Sequence, residues 1–183
     1  MQQQIDKKPA QVLTRAQEPW IGSRGRIGVI IPSTNIGVEY DCQQFILPGV
    51  TWHFSRFWVP QPDLSTDDMF LAFIDAIRLT IPDSMRNVMT CEPTYIMMGM
   101  SAETFWGGLA GNAEFEARLR DHTGPEIGIT SGAAALKAAL DAFGVKKVSA
   151  LTPYQSVGDE QVHRFLVESG YQVHKVRGLK CDT

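Results

Sequence analysis

Short apolar runs recur along the chain, and each is too short for a helix but long enough for a buried strand. The runs that predict strands are 26–32, 51–59, 94–100, 126–130, 146–152 and 171–178. The segments between them carry the wider spacing of amphipathic helices. These helical segments are 38–47, 69–81, 113–124, 131–144 and 153–170. The chain is therefore predicted to alternate strands with helices.

This alternation predicts an α/β fold, with a doubly wound and mostly parallel sheet covered by helices on both faces. Residues 1–23 are polar and show no sustained period, so we expect a mobile N-terminal extension. The strand–helix pattern starts again after a Gly-Pro pair at residues 124–125. We therefore expect a first α/β half over residues 24–125 and a partial second half over residues 126–183.

Composition and charge narrow the classes of partner. A net charge of −3 over 183 residues lacks the basic stripe that nucleic-acid binding requires. Neither a membrane-spanning run nor the apolar core of a signal peptide is found, so we expect no membrane partner and a cytoplasmic location. The 3 cysteines and 4 histidines lack metal-ligand spacing, and the glycines form no nucleotide-binding motif. We therefore expect neither a metal nor a cofactor.

Four of the predicted strands end in loops rich in small or hydroxyl-bearing residues. These loops are 32–37, 99–104, 130–134 and 152–159. Backbone N–H groups at the start of a helix attract anions, and hydroxyl groups add further donors. Taken one at a time, such loops are more often ordinary helix caps and tight turns. Taken together, they predict a site for a small carboxylate.

Three of these loops resemble those of a known family. The segment RIGVIIPSTN at 26–35 is similar to the opening strand and loop of the maleate isomerase and arylmalonate decarboxylase family, within the aspartate/glutamate racemase superfamily. Gly99-Met100-Ser101 resembles the Gly-Thr-Ser of the decarboxylase, where the isomerases carry a cysteine. Thr152-Pro153-Tyr154 resembles the Thr-x-Tyr that follows the family's fifth strand. The resemblance covers about residues 24–183.

The resemblance implies two similar racemase-like halves with a small carboxylate between them, and chemistry that needs no cofactor. It implies Ser101 and Tyr154 as catalytic residues that hold one carboxylate, while Asn35 orients another. The wider substrate-binding set takes in all four loops. It comprises Ser33, Thr34, Asn35, Gly99, Met100, Ser101, Thr130, Ser131 and Tyr154.

The cysteines depart from the family pattern. The family's second catalytic cysteine lies on a later strand than this sequence reaches, so we expect an incomplete second half and a C-terminal truncation. Cys42, Cys91 and Cys181 fall inside a helix, before a strand and after the last strand, and we interpret all three as structural.

Three functions remain open at this point. The first is a cofactor-independent decarboxylase- or isomerase-like enzyme acting on a small arylmalonate- or maleate-like dicarboxylate. The second is a non-catalytic or vestigial carboxylate-binding protein, which the glycine at position 99 favours. An amino-acid racemase is the third, and it would need two facing cysteines. Homo-oligomerisation, the substrate and the proton donor are left open.

Overall fold

The computed structural model describes residues 21–60 and 63–182, so nearly all of the expected N-terminal extension lies outside the described residues. The strands are β1 (Gly25–Pro32), β2 (Val50–Phe57), β3 (Tyr95–Met98), β4 (Gly128–Thr130), β5 (Lys147–Thr152) and β6 (Gln172–Gly178). The helices are α1 (Gly37–Gln44), α2 (Asp67–Met89), α3 (Gly108–Thr123), α4 (Gly132–Ala142) and α5 (Ser156–Glu168). A 3₁₀ turn at Glu103–Phe105 precedes α3.

The strands form two parallel sheets. One has the order β2-β1-β3-β4, and the other pairs β5 with β6. The central strand β1 is buried on both faces, which explains the unbroken apolar run Val29–Ile31 in place of an alternating pattern. The predicted α/β class and parallel pairing are confirmed.

The two sheets separate between β4 and β5. Because β4 pairs with β3 through Tyr95 and Gly128, it belongs to the larger sheet. The division of the chain after residue 125 stays a prediction, and the hydrogen-bonded sheets themselves change later, after Thr130. An edge-to-face contact joins the two parts, with the rings of Phe105 and Phe165 5.3 Å apart.

Helix α2 is longer than its sequence predicts. The apolar pattern indicates an end at Ile81, before Pro82, whereas the helix continues to Met89 with Pro82 inside it. Its buried face runs on through Met85 and Val88, so packing against the sheet maintains the helix past the proline. Among the residues that the structure describes, no helix combines the length and the apolar character needed to cross a membrane.

Candidate functional site

A cavity of about 500 Å³ lies where the strands of the larger sheet end. Loops after β1, β3, β4 and β5 contribute to it, together with side chains from α1, α2 and α4. Its lining residues are Pro32, Thr34, Asn35, Val38, Val59, Phe73, Met97, Met98, Gly99, Met100, Ser101, Ala102, Ser131, Gly132, Ala135, Pro153 and Tyr154. All four loops predicted from the sequence therefore reach one cavity, at the edge where parallel sheets usually bind ligands.

The loop after β1 is held from two sides. The Asn35 side-chain oxygen accepts a hydrogen bond from the Val38 N–H at 2.9 Å, which caps the start of α1. Arg56 donates to the Asn35 carbonyl at 2.7 Å and also pairs with Glu39. Because its side-chain oxygen and its carbonyl are both engaged, Asn35 faces the cavity in a fixed orientation.

Ser33, unlike Asn35, holds the loop together and does not face the cavity. Its hydroxyl accepts a hydrogen bond from the Val59 N–H at 2.9 Å, which ties the loop after β1 to the end of β2. Ser33 is not among the described residues that line the cavity, whereas its neighbour Thr34 is. The structure thus connects Ser33 to loop geometry, and Thr34 and Asn35 to the cavity wall.

Ser101 and Tyr154 come together across the cavity. Their hydroxyl oxygens are 2.6 Å apart, and they belong to loops that follow strands of different sheets. Either hydroxyl can donate in this bond. One proton of the pair lies in this mutual hydrogen bond and the other is free, so an anionic oxygen beside the pair would accept from one hydroxyl at once and from both after displacing the mutual bond. The pair is therefore a site that can stabilise negative charge.

Tyr154 is set up as a neutral donor. Burial raises the pKa of its phenol above the usual value, although the Ser101 hydrogen bond acts in the opposite direction. The phenol therefore keeps its proton at neutral pH. Thr152 accepts a hydrogen bond from the Tyr154 N–H at 3.2 Å and in turn donates to Asp159, which fixes the loop that carries the ring.

The loop between β4 and α4 presents backbone rather than hydroxyl groups. The Ser131 hydroxyl is fully buried, caps α4 at Ala134 N–H with a distance of 3.1 Å, and donates to Asn112. Thr130 is not among the described lining residues. Gly132 lines the cavity, and within the described residues its N–H has no hydrogen-bond acceptor, so that N–H is a further donor for an anion.

No residue that lines the cavity is charged at neutral pH, within the ranges 21–60 and 63–182. The cysteines lie elsewhere: Cys42 is buried in α1, while Cys91 and Cys181 are exposed. The described part of the protein also holds no cluster of acidic, histidine and cysteine side chains that could bind a metal. Any anion in the cavity would therefore be held by neutral donors.

Several residues that shape the site were not predicted from the sequence, and four of them show why. Val59 and Phe73 line the cavity, while Arg56 and Thr104 hold its loops in place. Val59 and Phe73 belong to ordinary apolar patterns, which indicate burial but not the neighbouring cavity. A lone arginine on an exposed edge strand was the only signal for Arg56, and a threonine inside a short turn gave none for Thr104.

Comparison with protein families decides where the chain belongs. A family model described as arylmalonate decarboxylase matches residues 86–183, which include the loops of Ser101, Ser131 and Tyr154. The chain belongs to the arylmalonate decarboxylase family. The predicted family is thereby confirmed. A direct comparison with curated protein sequences gives no significant match.

Solved structures share the fold of this arylmalonate decarboxylase family member. The maleate cis-trans isomerase of Nocardia farcinica, in a complex with TRIS, is 22% identical with a TM-score of 0.70, and the match covers 84% of this chain and 63% of the isomerase. The maleate isomerase Iso of Pseudomonas putida S16 is 22% identical with a TM-score of 0.69, over 84% and 63% of the two chains. An arylmalonate decarboxylase structure is 21% identical with a TM-score of 0.61, over 84% and 62%.

The chain thus spans less than two thirds of the length of these structural relatives. At this level of identity the likeness concerns the fold. The racemase-like α/β architecture predicted from the sequence is confirmed, and the match covers only part of the relatives' length.

Gly99 has no room for a side chain. A Cβ atom there would lie 2.6 Å from Ile31 Cγ2 and 2.9 Å from Val38 Cγ1. We predict that Gly99→Cys lowers the free energy of unfolding by about 1–3 kcal/mol, because it overpacks this contact. Urea denaturation measures the loss. In a double-mutant cycle, Val38→Ala should cost less in the Gly99→Cys background than in the wild type, and strict additivity would contradict the steric account.

Proposed function

We propose that this protein binds a small dicarboxylate in the cavity between Ser101 and Tyr154 and decarboxylates it without a cofactor. The observation that carries the proposal is the 2.6 Å contact between these two hydroxyls at the wall of an uncharged cavity. One carboxylate would accept hydrogen bonds from Ser101 and Tyr154, and Asn35 would orient the other. These roles extend to this protein what its family and the sequence resemblance imply.

The main requirement of this reaction is that the protein stabilises the negative charge of the intermediate. The bond between the α-carbon and one carboxylate breaks, carbon dioxide leaves, and the electron pair spreads onto the remaining carboxylate as an enediolate. The α-carbon then takes up a proton from solvent water, because the described lining residues include no acidic side chain and no thiol. The hydroxide formed combines with the released carbon dioxide as bicarbonate. Hydroxyl donors aimed at the enediolate oxygens stabilise this state, and each such donor contributes about 3–4 kcal/mol to catalysis.

The cavity wall favours a substrate with an apolar substituent. Val59, Phe73 and Met100 lie on it, and none of these side chains can pair with a second polar group of the ligand. A malonate that carries an aryl or alkyl group would cover this apolar surface. Maleate has only two olefinic carbons that could contact it. We therefore place an arylmalonate-like substrate ahead of a maleate-like one.

A non-catalytic carboxylate-binding role is the second candidate. Gly99 occupies the position where the resembling isomerases carry a cysteine, and none of the cysteines in the described residues lines the cavity. A protein with this arrangement would hold the carboxylate but supply no thiol for proton transfer. The same observation argues against an amino-acid racemase, which needs a proton-transfer group on each face of the substrate.

Incubation of the protein with phenylmalonate, malonate, maleate and aspartate tests these candidates, with products followed by proton NMR. We expect phenylacetate from phenylmalonate, and loss of that turnover in Ser101→Ala. Binding of phenylmalonate without any product would favour the non-catalytic role. Neither binding nor turnover of any of the four compounds would refute the proposal.

A further inference from the structure

Thr104 occupies an unusual place for a polar side chain. It is fully buried in the 3₁₀ turn that follows Ser101, and it does not line the cavity. Its hydroxyl donates to the Ser101 carbonyl at 2.7 Å and accepts from the Ala133 N–H at 3.1 Å. The Ser101 carbonyl also accepts the Thr104 N–H at 3.0 Å, so the distinct contribution of the buried hydroxyl is to link this turn to the Ala133 N–H in a separate segment.

The two segments contribute adjacent parts of the cavity wall, through Ser101 and Gly132. Ser101 belongs to the loop after β3, and Ala133 lies in the first turn of α4. They also touch beside the bridge, because a Cβ atom on Gly132 would lie only 3.0 Å from the Met100 carbonyl oxygen. The threonine bridge thus spans a close contact that has little room for a side chain at Gly132.

The bridge also determines which donors remain at the start of α4. Thr104 uses the N–H of Ala133, and Ser131 uses the N–H of Ala134. In the described structure this leaves the N–H of Gly132, a residue that lines the cavity, without an internal acceptor. Without the bridge, the Ala133 N–H would also lack an acceptor. The distance between the Ser101 loop and α4 would then no longer be fixed.

We infer that Thr104 is a positioning residue, which locks the Ser101 loop to the start of α4 and so holds the Ser101 hydroxyl against Tyr154. The inference rests on the proposed function in so far as the held pair binds a carboxylate. It also makes a claim about geometry that can be tested with no ligand present.

The ligand-free test follows the Tyr154 phenol by NMR of protein labelled at tyrosine Cζ, titrated from about pH 8 to the highest pH at which the protein stays folded. A hydrogen bond from Ser101 lowers the pKa of this phenol, so its loss must raise that pKa. We expect a rise in Thr104→Val and in Ser101→Ala, and the wild-type curve in Thr104→Ser. Tyr154→Phe assigns the resonance.

A matched control variant distinguishes an effect on the position of the Ser101 hydroxyl from an effect on the stability of the protein. Thr123 is also buried, and its hydroxyl donates only to the adjacent Gly124 carbonyl at 3.1 Å. Thr123→Val makes the same chemical change, so it should lower the melting temperature but leave the Tyr154 titration unchanged. An unshifted Tyr154 titration in Thr104→Val would overturn the inference, whatever the melting temperature of that variant.

Stopped-flow fluorescence with phenylmalonate, followed before turnover, gives the affinity and is the second readout. Thr104→Val should weaken binding by about ten- to a hundredfold, because small displacements of a positioned group are costly, while Thr104→Ser and Thr123→Val retain the wild-type affinity. If the wild type itself does not bind phenylmalonate, the proposed function fails, and the phenol titration still decides the role of Thr104. Equal affinity in Thr104→Val and the wild type would show that Thr104 does not position the site.

Discussion

Replacement of Phe165 with alanine is expected to lower the free energy of unfolding by about 3–5 kcal/mol, the usual cost of deleting a buried aromatic ring. Phe165 has no exposed surface, and its ring meets that of Phe105 edge to face at 5.3 Å. Phe105 ends the 3₁₀ turn that follows Ser101. The contact therefore supports both the packing between the sheets and the loop of the candidate site. Urea denaturation followed by circular dichroism measures the change.

Phe143 provides the matched control. It is 87% exposed at the end of α4, so Phe143→Ala should change the stability by no more than about 0.5 kcal/mol. Similar losses in both variants would mean that Phe165 is not the packing anchor that the structure shows. A broad, non-cooperative transition in Phe165→Ala alone would indicate that this contact couples the two sheets.

Replacement of Tyr154 with phenylalanine is expected to weaken phenylmalonate binding by about ten- to a hundredfold. The change removes one hydroxyl and keeps the ring that packs 5.7 Å from Phe70, so stability should change little. Loss of a charge-assisted hydrogen bond costs about 1.5–3 kcal/mol, which corresponds to this range of affinity. Stopped-flow fluorescence, followed before turnover, measures both affinities.

Tyr95 serves as the control for this prediction. It lies at the start of β3, at the opposite end of the strand from the cavity, so Tyr95→Phe should bind phenylmalonate as the wild type does. Equal affinities for Tyr154→Phe and the wild type would exclude the phenol as a ligand to the carboxylate.

Much of the fold can be predicted from the sequence because its signals are local. Apolar runs of strand length alternate with amphipathic segments, and every predicted strand forms. Helix ends are less well encoded: α2 passes through Pro82 because tertiary packing continues to Met89. The pairing of β4 with β3 is likewise a long-range property that no local pattern reveals.

The candidate site, like the fold, can be predicted only in part from the sequence. The loops of Asn35, Ser101 and Tyr154 are visible as hydroxyl and small residues after strands, and the structure brings all three to one cavity. The same residue types at Ser33 and Ser131 serve internal hydrogen bonds, a use that depends on partners distant in sequence. Sequence can therefore locate the loops, but it cannot tell which of their hydroxyls point outward.

A crystal structure of the protein with phenylacetate, the expected product, tests the central claim most directly. We predict that one carboxylate oxygen lies within hydrogen-bond distance, about 2.5–3.2 Å, of both Ser101 Oγ and the Tyr154 hydroxyl oxygen. The phenyl ring should lie against Val59 and Phe73, which line the same cavity. Phenylacetate bound elsewhere, or a cavity left empty at saturating ligand, would contradict the account.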